Sequence, residues 1–146
     1  MIFISYAKED TEYARSLYSA LMDVGLDPWM DKPPAPHEAR GLLVGQRWRL
    51  AIENAIRDAD QIVLVLSRQS VSKRGYVANE FRTALELMSY IPDDQVLVLP
   101  TRIDDCQVPN LQVQTIKLTD LQWEDVPLAS VPDYARALAA QFGVAV

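Results

Sequence analysis

The sequence is poor in the residues that most small-domain chemistries require. Its 146 residues hold a single cysteine, Cys106, and a single histidine, His37. One thiol cannot close an internal disulfide, and this pair cannot supply the soft ligand set of a zinc site. No metal site is expected. Acidic residues outnumber basic ones by 20 to 14, a formal net charge of −6. That balance argues against a surface that tracks a nucleic-acid backbone, where clustered Lys and Arg must displace counterions. No apolar run approaches the roughly 20 residues of a membrane-spanning helix, and the N-terminus lacks the basic-then-apolar pattern of a secretory signal. A cytoplasmic protein with no nucleic-acid and no membrane partner is expected.

Glycine is also scarce, at 5 residues, and its placement removes the common nucleotide motifs. There is no G-x-G-x-x-G after the first apolar run and no G-K-[ST], so neither a dinucleotide-binding turn nor a P-loop is written here. "GLLVG" has G-x-x-x-G spacing with no apolar 20-mer around it. Ser67 or Ser70 as a hydrolase nucleophile lacks a G-x-S-x-G elbow, and the only histidine lies in a proline-rich stretch.

What is present is an alternation of extended and helical periods. "IFISY" follows Met1 directly as a strand. Asp10 is placed to cap a helix carried by Tyr13, Leu17 and Leu21, with Ala14 and Ala20 beside them and a stop at Gly25. "DPWMD" is a shorter strand. Trp48, Ala51, Ile52, Ala55, Ile56 and Ala59 repeat at helical spacing, and "QIVLVLS" is an unbroken apolar run that suits a strand covered on both faces. "SKRGYVANEFRTALELMSY" reads as one amphipathic helix over residues 72–90; "QVLVLPT" and the weaker "VQTIKL" read as two further strands. Ser130 and Pro132 open a last helix that Gly143 closes.

Strand and helix in turn imply crossover units, a parallel sheet with helices on both faces, and ligands at the carboxyl ends of the strands. Those ends fall at residues 5–8, 31–45 and 67–75. The second, "DKPPAPHEARGLLVG", is longer and richer in proline than an ordinary turn, and loops of about 12 to 15 residues are usually functional. A phospho-acceptor receiver domain would want acidic residues directly after the first strand and an aspartate ending the third, where this chain reads "SYAKED" and "VLVLSRQ". On the helix over 72–90, Glu80 lies beside the apolar stripe of Val77, Phe81, Ala84, Leu85 and Met88. It is either a carboxylate at the wet edge of the face, paired with Arg74 or Arg82, or one held in a cleft for chemistry.

"IFISYAKED", "GQRWRLAIENAI", "IVLVLS" and "SKRGYVANE" in this order resemble the successive boxes of a Toll/interleukin-1 receptor (TIR) domain of the bacterial kind, from Ile2 to about Val108. The resemblance implies a flavodoxin-like three-layer α/β sandwich with a five-stranded parallel sheet in the order 2-1-3-4-5. It also implies a loop after the second strand that mediates self-association, and in many members cleavage of NAD+. Catalytic members keep a glutamate a few residues after an aromatic at the start of the third long helix; here these are Glu80 and Tyr76, where many members have tryptophan. By the same resemblance Tyr6 and Lys8 lie where the nucleotide is contacted, and Trp48 and Ser70 become further candidates for substrate contact. Trp48 also has a plainer reading, as an aromatic packing the Ile52 and Ile56 stripe on the sheet. The expectation is a single TIR domain over 1–146, the N-terminal effector part of a larger protein bearing a sensor. It would act as an NAD+ glycohydrolase or cyclase, with NAD+ as substrate and no cofactor, activated by assembly with other TIR domains in antiviral defence. The alternative is a non-catalytic adaptor module.

Overall fold

The unbroken apolar runs become the central strands. Ile2–Ser5 (β1) and Gln61–Leu66 (β3) pair in parallel, and β3 pairs in turn with Val98–Arg102 (β4). Their side chains show no polar alternation because helices cover both faces of the sheet. Ile2, Ile4, Val63 and Val65 pack under Thr11–Asp23 (α1) and Val131–Gln141 (α5). Phe3, Ile62, Leu64 and Leu66 pack on the other side under Trp48–Asp58 (α2) and Tyr76–Met88 (α4). The two cores follow from the period of two along each strand. The computed structural model describes residues 1–72, 76–92 and 95–143.

Pro28–Trp29 (β2) pairs with β1 on its other side, so chain order reverses between β1 and β3. This is the switch point at which a crevice opens in a doubly wound sheet. The five-stranded parallel sheet is as the sequence implies, but the identity of its fifth strand is not. The stretch expected as that strand, 113–118, contributes instead to a small antiparallel hairpin of Gln112–Val113 (β5) and Ile116–Lys117 (β6), turned through Gln114 at φ 55°. Val113 and Ile116 there cover the α4 side of the core. The fifth place goes to Glu124–Asp125 (β7), which pairs with Thr101 and Arg102 of β4. An edge strand of two exposed acidic residues carries no apolar signal.

One helix expectation is also corrected. Asp10 occupies the N-cap position of α1 but makes no side-chain cap bond. Its carboxylate accepts a hydrogen bond from the Ser67 hydroxyl, tying the loop after β1 to the loop after β3. Of the helix expected over 72–90, Ser72 is the last residue of Arg68–Ser72 (α3) and Tyr76–Met88 forms α4. Lys73, Arg74 and Gly75, including the suggested Arg74 partner of Glu80, lie outside the described residues. Gly25 and Gly143 follow the ends of α1 and α5 at φ 85° and 76°, the left-handed conformation that glycine adopts without a Cβ penalty.

The proline-rich segment is anchored for most of its length. Leu42 N–H donates to the Asp31 carbonyl at 2.8 Å, closing residues 31–42 into a ring. Gly41 makes that closure possible: a Cβ there would lie 2.4 Å from both the Asp31 carbonyl oxygen and the Pro33 Cδ. Arg40 pairs with Asp27, and the His37 ring packs against Tyr18, with centroids 5.8 Å apart. Ala35–Pro36 is a cis peptide. Beyond the ring, Leu43 and Val44 stand exposed before α2 begins at Trp48.

Candidate functional site

The carboxyl ends of β1 and β2, the first turns of α1 and α2, and the start of α4 enclose a cleft of about 970 Å³. That lies near the upper end of the roughly 300–1,000 Å³ usual for small-molecule sites. Its aromatic wall is Trp29 and Trp48. Trp29 is fixed by a stacked contact with Phe3, the rings 5.3 Å apart and inclined by 11°. Lys8, Arg15 and Lys32 supply positive charge, and Asp31 and Glu80 supply negative charge.

Glu80 answers the question its sequence position raises. Val77, Phe81 and Ala84 of the same helical face are buried, so the face that carries Glu80 turns inward at the top of the sheet. The residue keeps a partly exposed side toward the cleft, but protein surrounds its carboxyl group. The Ser5 hydroxyl donates to Glu80 Oε1 at 2.6 Å. Ser5 reaches it because the period of two places it on the same sheet face as Phe3, the face that α4 covers. Burial pushes the Glu80 carboxyl up to about 8, and the neighbouring charge of Asp31 acts in the same direction, while the Ser5 bond opposes both. An acid with this environment, in a cleft, is a candidate for chemistry rather than a solvated edge residue.

The remaining candidates separate clearly. The Tyr6 phenol lines the cleft and donates to Asp31 Oδ1; burial and then that bond raise its pKa. Lys8 lies on the rim, in a 3₁₀ turn before α1. Trp48 is 48 % exposed, which makes it a border of the cleft and not an aromatic packed on the sheet. Arg49 sits over its ring at 5.2 Å. Tyr76 opens α4, but its side chain lies outside what is described.

Ser70 does not belong to the site. It is buried, donates to the Val65 carbonyl at 2.7 Å, and exchanges backbone-to-hydroxyl bonds with Ser67 at 2.9 and 3.0 Å. This reciprocal pair caps the start of α3, so the Ser70 hydroxyl is consumed by local structure. Trp29, Asp31, Arg15 and Lys32 line the cleft and Ser5 lies buried behind Glu80, and sequence reasoning assigned none of them a specific role. Ser5 and Asp31 stand at the two strand ends already marked as ligand positions, and strand parity alone would have aimed Ser5 at α4.

A family model described as TIR domain matches residues 2–131. The chain belongs to the TIR domain family, whose members include NAD-cleaving enzymes and adaptors and associate with other TIR domains. Among solved structures, the TIR domain of the Toll-related receptor TRR-2 from Hydra magnipapillata is similar, with a TM-score of 0.70, 97 % of each chain covered and 19 % sequence identity. That likeness is one of fold. A search of curated proteins finds no match. Among the described residues no helix is long and apolar enough to cross a membrane.

Proposed function

We propose that the protein is an NAD+ glycohydrolase that releases nicotinamide, is switched on by self-assembly, and serves as a cytoplasmic effector in bacterial antiviral defence. One observation carries the reading: the largely buried carboxyl of Glu80 stands at a cleft that is aromatic on one wall and cationic on another. Lys8, Arg15 and Lys32 suit the diphosphate of a dinucleotide as charged donors, and Trp48 suits the face of a base or nicotinamide ring.

A single carboxylate is enough for this reaction. Glycoside hydrolysis ordinarily needs an acid to protonate the leaving oxygen and a second carboxylate to act on the sugar or on water. Nicotinamide is bonded to ribose through a cationic ring nitrogen. As the C1′–N bond breaks, its electron pair goes to that nitrogen and the base departs neutral, so no proton is required. Positive charge grows on the ribose, and a fixed carboxylate beside it stabilises the transition state. Water then adds at C1′ and gives up a proton, completing ADP-ribose; attack by a nitrogen of the same molecule gives a cyclic product instead.

The test is nicotinamide release from NAD+ by wild type and Glu80→Gln, both tethered to the same multivalent scaffold. Release by the wild type and a loss of about 10² to 10³ in the variant is the expected result. Equal release removes Glu80 from the chemistry, and no release from clustered wild type moves the protein to the adaptor class.

A further inference from the structure

Two carboxyl groups share the floor of the cleft, and each is held by a hydroxyl from a different residue of one strand end. Ser5, on the α4 face of β1, donates to Glu80, and Tyr6, next in sequence, donates to Asp31 after β2. The other titratable groups lining the cleft, among the described residues, are Lys8 and Arg15 from the loop after β1 and from α1, and Lys32 from the loop after β2; α2 contributes Trp48 and Ile52. Arg15 is partly engaged, its Nε donating to the Lys32 carbonyl at 3.2 Å and a terminal nitrogen lying 3.5 Å from Glu12.

We propose that Ser5 and Asp31 are opposed positioning residues for Glu80, the Ser5 hydroxyl favouring the charged carboxylate and Asp31 the neutral acid, so that the cleft admits a cationic ring in exchange for a proton. The inference rests on the NAD+ reading and specifies how its one acid becomes ionised. A hydrogen bond donated to a carboxylate stabilises the ion, whereas a second negative group in a partly desolvated site disfavours it. With the Glu80 carboxyl raised to about 8, the empty cleft holds mostly the neutral acid at neutral pH. A cationic nicotinamide ring offers the missing counter-charge, and Glu80 then releases its proton to solvent and keeps the negative charge that the reaction uses. Dihydronicotinamide, being neutral, offers none. The site therefore selects the oxidised dinucleotide by charge, and more strongly as pH rises toward the Glu80 midpoint.

Two measurements on the full chain test this. The first is the Glu80 carboxyl titration followed by carbon NMR in ligand-free wild type, Ser5→Ala and Asp31→Asn. The second is the proton released on binding NAD+, as its uncleavable carbocyclic analogue that keeps the cationic ring, or NADH, measured by calorimetry in two buffers of different ionisation heat. Ser5→Ala should move the midpoint to higher pH and Asp31→Asn to lower pH. A midpoint moved by about one pH unit changes NAD+ affinity below it about tenfold, weakened in the first variant and strengthened in the second. NAD+ should release a proton and NADH none. Shifts of both variants in the same direction would mean a general loosening of the site and overturn the proposal, as would binding of the oxidised ligand without proton release, which leaves the glycohydrolase reading intact. If clustered wild type neither binds nor cleaves NAD+, the reading itself fails and the proposal falls with it.

Discussion

The phenol of Tyr6 donates to the carboxylate of Asp31 across the carboxyl edge of β1 and β2. This bond joins the first strand to the first residue of the proline-rich ring, and the Asp31 carbonyl accepts the Leu42 N–H that closes it. One residue thus fixes both the cleft floor and the loop. Tyr6→Phe leaves the ring packing intact and removes only the donor. A hydrogen bond to a charged group contributes about 1.5–3 kcal/mol, and Tyr6 is partly exposed, so a loss near or below the lower figure is expected in urea unfolding. No change in midpoint would show that the bond is idle in solution.

Gly41→Ala tests the loop from the other end. With a Cβ clashing against both the Asp31 carbonyl and the Pro33 ring, the ring over 31–42 must open. Overpacking of this kind usually costs about 1–3 kcal/mol, and here it should also displace Asp31 from the cleft. The expected outcome is faster amide exchange at Leu42 while the sheet amides stay protected. Unchanged exchange at Leu42 would refute the ring as a unit.

Replacing the buried acid should stabilise the fold, with a pH dependence of known sign. The Glu80 carboxyl is raised from 4.5 to about 8. Between those values the folded protein binds more protons at this site than the unfolded chain, so stability falls as pH rises through the window. Below it the contribution vanishes, and above it the full penalty remains. Glu80→Gln removes the dependence. The difference in unfolding free energy, variant minus wild type, should therefore grow from about pH 5 to pH 8 and then level off. A flat difference across that range would place the carboxyl in water.

The sequence shows these structural features unequally. The central strands are plain because burial on both faces leaves uninterrupted runs such as "QIVLVL", and α1, α2 and α5 follow from helical spacing and their flanking Gly and Pro. β7 is hidden because an edge pair needs only backbone, and its two residues, Glu124 and Asp125, are both exposed. Within the site, Glu80 is legible as an acid beside an apolar stripe. Ser70 misleads because a serine capping α3 and a serine facing a ligand look alike in one dimension. Asp10 misleads similarly, since the Ser67 hydroxyl, distant in sequence, competes for its carboxylate. The Ser5–Glu80 contact spans 75 residues, and only the crossover topology brings the two together.

Metal and thiol reagents should leave the chemistry alone. Cys106 is buried, and burial followed by its bond to Asp104 raises its thiol to about 11, far from the thiolate a nucleophile needs. Among the described residues no three His, Cys, Asp or Glu side chains gather in a way that could hold a metal ion. Nicotinamide release should be the same with and without a chelator, and in Cys106→Ser, whose cost should appear only as a lower melting temperature. Activity lost in chelator and restored by one metal would assign a different reaction class.

The last expectation concerns assembly. Leu43 is 55 % exposed and Val44 fully so, on the short segment between the anchored ring and Trp48. Family members associate with one another, and a segment held at both ends loses little entropy when it docks on a neighbour. Specific activity of the untethered domain should accordingly rise with protein concentration. The double substitution Leu43→Ser, Val44→Ser should flatten that rise without changing the melting temperature, since neither side chain is buried in the single chain, and tethering on a scaffold should restore part of the rate. Constant specific activity of the wild type across dilutions that span monomer and oligomer would remove assembly as the switch. A rise unaffected by the double substitution would place the contact on another face.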